Sequence, residues 1–531
     1  MPSDTTSRPT RRYSRSGKAP AAAPENRRRP ALPVWLVPVL WTTGLGWWGL
    51  SRQNSVWRDE AATWLVAQRP TGEIWRTLGN DDVVHGLYYL LMHGVFEVFG
   101  ASTTTLRLPS VLAMAGAAGC LAVVGDRLAG RTAGLAAGSA LGLLPPVQFY
   151  LQEGRSYALV AAGAALATLL LVTVLRGQAR TAHWVGYGGA VLACGLLNWL
   201  SLLILPAHLA TLVWTRAGRG VRLRWGAAAV GAAAGVLPLI LFSRGQSQQV
   251  AWIPPLTWHM MIGPAVLLLI GGVCAAAERP RAGRVSVATV GLPLLAVPQL
   301  GLVGLSFVQP LFLDRYVLFS LLGLALLIGG AVDSAARAAR PRFPRVSAVV
   351  LPGVVAVALA ALLPQSRAER SPASRVDDVL AMASDVQRMK EEGNAVVFVP
   401  STRRDAASVS PGAFSGLRDI ALAESPERSA TLAGVEAGPD RIRAAMLAQQ
   451  RILLVTDAVP VAQPVVTKRD RAKMAVLRDY FVVVADRQVR GRRVTVYERA
   501  GAKAPSRRSA GAAPPAGGHR QAPGRRAPRA G

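Results

Sequence analysis

Apolar positions fill this chain in long unbroken runs, and polar positions gather between them. Across residues 31–364 the runs approach the roughly 20 residues that a helix needs to cross a bilayer core. Eleven such segments can be drawn: 32–50, 107–125, 133–150, 157–175, 184–199, 200–214, 226–242, 259–277, 287–306, 316–332 and 347–363. Residues 184–214 are short for two crossings. The loops on both sides of them are basic, so both belong on one side of the membrane and an even number of crossings lies between them. Two short helices, or a re-entrant pair turning near Asn198, satisfy this. Beyond residue 365 the pattern changes. Residues 375–392 carry Val376, Val379, Leu380, Ala383 and Val386 at helical spacing, and AVVFVP, RILLVTD, FVVVAD and RRVTVYER read as strands. The pattern predicts an α-helical polytopic membrane protein of about eleven spans with a small C-terminal α/β domain.

Composition agrees: 51% of the 531 residues are hydrophobic and the mean hydropathy is +0.30, too apolar for an ordinary soluble enzyme. The net charge of +30 would suit a nucleic-acid binder, but its distribution does not. Arginines crowd the N-terminal arm, the tail after Gly501 and the short loops between apolar runs, where they act as topology signals. Loops assigned to the cytoplasm hold fifteen arginines, whereas the short outer loops hold only Arg155, Arg244 and Arg315. The expected organisation is a disordered basic cytoplasmic arm (1–31), a membrane domain (32–365) with a long first outer loop (51–106), an extracytoplasmic α/β domain (366–500) and a disordered tail (501–531). The first span reads as uncleaved, because no small-residue cleavage site follows it. Cys120, Cys194 and Cys274 all fall in apolar runs, so the C-terminal region has no disulfide or zinc framework. It also has no phosphate-binding glycine loop.

Acids are scarce and unevenly placed. Residues 31–365 contain eleven, and six of them lie in the first outer loop: Asp59, Glu60, Glu73, Asp81, Asp82 and Glu97. Glu153 and Asp314 fall in other outer loops. Carboxylates gathered beside Arg155, Arg315 and His85 at one membrane surface suit a reaction that deprotonates one partner while holding a phosphate of the other. Trp57, Trp64, Trp75, Trp252 and Trp258 read as aromatic-belt anchors.

The order WRDEAATW, then DDVVHGLYYLLMHGVFEVFGASTTTLRLPS, then LLPPVQFYLQEGRSYAL resembles polyprenyl-phosphate-sugar-dependent glycosyltransferases of the GT-C class. Within that class it looks most like bacterial relatives of protein O-mannosyltransferases and aminoarabinose transferases. The likeness is strong over residues 56–175, weaker to 331, and absent from the C-terminal domain. It implies Asp59 as general base for an acceptor hydroxyl, with Glu60 supporting the site by positioning a partner or ion. It also implies substrate contacts from Asp81, Asp82, His85, Arg155 and Tyr157, and a lipid-phosphate contact from Arg315 and Tyr316. Relatives commonly follow the histidine with prolines, where this chain has Gly86.

The function so implied is transfer of a sugar, mannose by resemblance, from a polyprenyl-phosphate donor to a protein, glycolipid or polysaccharide hydroxyl at the outer membrane face. Attack opposite the leaving phosphate inverts the anomeric centre, and phosphate leaves without a general acid. No cofactor is certain. Some relatives use a divalent cation and others do not, so metal dependence stays open. A transporter or flippase for lipid-linked sugars is an alternative, but transporters usually carry polar groups near the bilayer midplane and repeated halves. A non-catalytic envelope scaffold leaves the acid cluster unexplained. The partners expected are the lipid-linked donor, the acceptor and the bilayer, and no nucleic acid.

Overall fold

The computed structural model describes residues 32–50, 54–246, 252–278, 283–341, 344–462 and 464–501. The N-terminal arm and the tail beyond Gly501, expected to be disordered, lie outside them.

Every apolar segment drawn from the sequence is helical. The helices are α1 (Leu36–Trp47), α5 (Thr103–Ala129), α6 (Arg131–Leu143), α7 (Pro145–Leu151), α8 (Tyr157–Leu175), α9 (Thr181–Leu197), α10 (Ile204–Trp214), α11 (Arg219–Ser243), α12 (Ile262–Ala276), α13 (Val287–Ser306), α14 (Leu321–Ala339) and α15 (Pro344–Glu369). Between α1 and α5 the long loop folds into three short helices, α2 (Arg58–Ala67), α3 (Thr71–Asn80) and α4 (Gly86–Phe99). Among the described residues six helices are long and apolar enough to cross a membrane. The chain is a multi-pass membrane protein. α14 is its central helix, with 78% of its apolar stretch buried against 11% for the peripheral α12.

Two segments depart from single straight spans. Residues 133–150 break after Leu143: Leu144 is extended, and Pro145 and Pro146 open α7, positions where a missing N–H costs nothing. Residues 184–214 form two helices, as the loop charges required. Asn198 leaves the helix with φ −164° and its side chain accepts from Leu200 N at 3.1 Å. Buried His208 then ties this pair to its neighbours, with Nε2 3.1 Å from Thr168 Oγ1 of α8 and Nδ1 2.9 Å from Tyr187 OH of α9.

After α15 the chain enters the C-terminal domain through α16 (Val379–Met389). Its sheet has the order β2-β1-β5-β7-β6, with β1 (Ala395–Val399), β2 (Arg418–Asp419), β5 (Arg451–Asp457), β6 (Phe481–Val489) and β7 (Arg492–Arg499). β1 runs parallel to β2 and β5, and β7 pairs antiparallel with β5 and β6. A separate ribbon pairs β3 (Leu422–Glu424) with β4 (Val435–Glu436). The four predicted strands are β1, β5, β6 and β7. One sheet face packs on α16, and that core also takes in Val56 and Ala61 from the first long loop. The membrane domain and the C-terminal sheet therefore share a hydrophobic core.

Candidate functional site

The two adjacent acids of α2 have different environments. Glu60 is fully buried, and Arg107 of α5 grips it with Nε to Oε1 and Nη2 to Oε2, both 2.8 Å. Oε1 also accepts from Gly154 N at 2.9 Å. Burial raises the proton affinity of Glu60, but Arg107 and the Gly154 amide outweigh it and hold the carboxyl below its usual range. Asp59 remains partly open, with 19% of its side chain exposed. Its Oδ2 lies 3.5 Å from Arg315 Nη1, and Oδ1 lies 4.0 Å from Arg58 Nε. One helical step turns the neighbours apart: Glu60 into the protein, Asp59 toward the loop arginines.

Arg315 rests among aromatic faces, with its guanidinium 5.9 Å from the Tyr157 and Tyr316 rings and 5.7 Å from Trp252. Its Nε has no hydrogen-bond partner among the described residues. Such a cation is held by ring quadrupoles and keeps donor capacity for an anion.

A second cluster follows α3. Asp82 takes left-handed dihedrals, φ 57° and ψ 36°, a strained conformation that Asp tolerates better than most residues. There its carboxylate accepts from Tyr89 OH and lies 2.7 Å from His85 Nδ1. Arg155 Nη2 donates to His85 Nε2 at 3.1 Å. Since an arginine only donates, Nδ1 carries the ring proton and gives it to Asp82. Burial raises the Asp82 carboxyl, but His85 and Arg155 pull it well below the usual range. Burial disfavours charge on Arg155, yet Tyr89, Tyr157, Asp59 and Asp82 outweigh it and keep the guanidinium charged. Gly86 opens α4 against Leu78, and a Cβ there would approach Leu78 Cδ1 to 2.9 Å.

A cavity of about 310 Å³ lies beside this cluster, lined by His85, Tyr316, Asn198, Arg244 and Gln246 among others. Next to it an apolar groove of about 470 Å³ runs between α3, α4, α9 and α11, lined by Trp75, Leu78, Leu87, Leu90, Leu196 and Phe242. A chamber that presents Arg244 and several neutral polar groups, beside an apolar groove, suits a ligand with an anionic head and a hydrocarbon chain.

The fold thus brings Asp59, Arg315, Tyr157 and Tyr316 together, and joins Asp82, His85 and Arg155 in a second group. It does not bring in Asp81, whose Oδ2 accepts from Leu432 N of the C-terminal domain at 2.9 Å. One expected belt tryptophan also sits elsewhere. Trp57 is buried, whereas Trp252 is exposed and its ring also meets Arg58 and Arg315. Glu153, not singled out from the sequence, is buried with neither carboxylate oxygen partnered among the described residues. Burial pushes its carboxyl up to about 8; Arg375 opposes the shift, and Glu60 and Asp59 add to it. Its signal was the QE pair before Arg155. Among the described residues no group of three or more His, Cys, Asp or Glu side chains has a metal-ligating arrangement.

No protein-family model matches the sequence, and no curated protein matches it significantly. Solved structures do. ArnT from Cupriavidus metallidurans in the apo state superposes with a TM-score of 0.56 at 15% identity, covering 87% of this chain and 97% of that one. The chain has the GT-C fold. The same ArnT bound to undecaprenyl phosphate gives 0.55 at 15% identity, with 88% and 98% covered. An apo oligosaccharyltransferase from Archaeoglobus fulgidus matches more loosely, at a TM-score of 0.49 and 11% identity, with 89% and 75% covered. The GT-C likeness to ArnT extends past the helices, because 88% of this chain is more than residues 32–369 can supply. The C-terminal domain is part of the shared architecture.

Proposed function

We propose that the chain is a membrane glycosyltransferase that moves a sugar from a polyprenyl-phosphate donor to an acceptor hydroxyl. The observation that carries this reading is the pairing of partly open Asp59 with aromatic-caged Arg315, joined through Tyr316 to a chamber that lies beside an apolar groove. The GT-C fold, shared with a protein solved with undecaprenyl phosphate bound, supports it. The groove takes the prenyl chain, and the chamber takes phosphate and sugar beside Arg244 and His85. Arg155 and Arg315 face the phosphate; Asp82 and His85 position Arg155.

In the reaction the acceptor O–H gives its proton to Asp59 as its oxygen bonds to the anomeric carbon. The bond from that carbon to the phosphate oxygen breaks, and its electron pair leaves on polyprenyl phosphate. Arginines fixed before the reaction stabilise this developing charge without reorganising. Asp59 must shed its 3.5 Å contact with Arg315 to accept the proton, and an incoming phosphate competes for that guanidinium. Donor binding thereby frees the base. Attack from the face opposite the phosphate inverts the anomeric centre. Mannose is the sugar proposed, on sequence resemblance alone, and the acceptor is a protein, glycolipid or polysaccharide hydroxyl.

The test is incubation of the purified protein with a panel of polyprenyl-phosphate sugars and hydroxyl acceptors. Consumption of one donor, with inverted product and free polyprenyl phosphate, is expected. Translocation of intact donor across vesicles with no cleavage would replace the enzyme by a flippase.

A further inference from the structure

Helix α2, which carries Asp59, has no cap of its own. Its N-cap residue is Trp57, whose side chain makes no capping hydrogen bond, although the first N–H groups of a helix need acceptors. The acceptor comes from 319 residues away: Asp377 Oδ1 takes the Arg58 N–H at 3.0 Å. Asp377 is itself held from behind. Its Oδ2 accepts from Arg492 Nε at 2.9 Å, at the first residue of β7. Arg492 is fully buried and binds Asp405 through both remaining nitrogens, at 3.1 and 2.7 Å. Beside this, Val379 N donates to Val56 O at 2.8 Å, and Val56 and Ala61 enter the C-terminal core. The loop start is thus pinned to the sheet by a charged chain, a backbone bond and apolar packing. Asp59 is the next residue along the helix.

We propose that Asp377 and Arg492 of the C-terminal domain are positioning residues for the base, fixing the first turn of α2 so that the Asp59 carboxylate meets the acceptor. This rests on the assignment of Asp59 as base. A carboxylate at a helix N-terminus is favoured by the helix dipole, and Arg492, itself gripped by Asp405 as a bidentate fork, orients it through one Nε–H bond. The domain that lacks sequence motifs of catalysis is then a working part of the site.

A double-mutant cycle tests it. Asp377→Ala is expected to lower turnover about ten- to a hundredfold, as small misplacements of reacting groups do. The donor KM should stay within about twofold, because the phosphate is held by other groups. Combined with Asp59→Asn, which already lacks the base, Asp377→Ala should cost nothing further, since it acts through Asp59. Asp377→Asn keeps an oxygen for the Arg58 N–H and should recover much of the loss; it also serves if the alanine variant does not fold. Losses that multiply in the double variant, or normal turnover in Asp377→Ala, overturn the tether. Normal turnover in Asp59→Asn alone instead overturns the base assignment beneath it.

Discussion

Asp59 and Glu60 are chemically similar and one residue apart, yet substitution should separate them. Asp59→Asn preserves shape but cannot take a proton, so turnover should fall about 10²–10⁴-fold, with donor KM unchanged or lower because Arg315 is no longer shared with a carboxylate; near-normal turnover at saturating substrates refutes the assignment. Glu73→Gln, in an exposed i,i+3 pair with Arg76, is the control and should stay near normal. Glu60→Ala breaks the buried ion pair with Arg107, which typically costs about 3–5 kcal/mol, so its unfolding midpoint should drop. The pair was legible as two acids at a membrane edge. What the sequence hid was Arg107, whose partner lies 47 residues back. An arginine at the start of an apolar run reads equally well as an interfacial anchor, and only the helix packing selects between the two. Glu153 offers a pH test. Its folded carboxyl binds a proton up to about pH 8, while the unfolded one releases it near 4.5, so the folded state holds more protons between these values. Stability should fall as pH rises through that window, by up to about 1.4 kcal/mol per pH unit. Glu153→Gln removes the group, so its stability relative to wild type should climb from pH 5 to 8 in unfolding titrations. A flat difference shows that the carboxyl is not desolvated.

At the scale of elements, the site depends on where helices stop. α7 ends at Leu151 and α8 begins at Tyr157, and the five residues between them present Glu153 and Arg155. That turn is fixed by its backbone: Thr63 Oγ1 donates to Gly154 O at 3.0 Å, Ser110 Oγ to Glu153 O at 2.6 Å, and Arg375 Nη2 to Gln152 O at 3.2 Å. Gly154 also lies hard against α5, where a Cβ would come within 2.5 Å of Leu106 Cγ in the core. Gly154→Ala should therefore destabilise by about 1–3 kcal/mol and lower turnover by shifting Arg155. Normal values on both unfolding and turnover would show that Leu106 yields. Apolar periodicity and loop charge were enough to find the helices and the turn at Asn198. They could not find the break at Leu144, because a proline pair inside an apolar run is compatible with a kinked span. They also could not find the contact of Trp252 with Arg315, which joins segments 63 residues apart.

For the whole molecule, the fold fixes which parts share a membrane face. The fold joins the C-terminal sheet to the loop that carries Asp59, through Val56, Asp377, Asp81 and Arg69. Loop and sheet must therefore share one side of the membrane, whichever it is. The side proposed for them comes from loop charge. The loops at the opposite ends of the helices hold fifteen arginines, and basic loops stay in the cytoplasm. We propose from this that eleven crossings carry the chain from a cytoplasmic start to an external domain, where a flipped lipid-linked sugar would be met. Ala448 is exposed beyond the helix Pro439–Leu447. The native cysteines lie in the helical region, one buried and two half-buried. Ala448→Cys should react with an impermeant thiol reagent on intact cells with a permeable wall, while the wild type stays unlabelled. Labelling only after lysis would place the sheet inside. Because loop and sheet cannot be separated, the Asp59 site would move inside with it, and the donor would then have to present its sugar from the cytoplasmic leaflet.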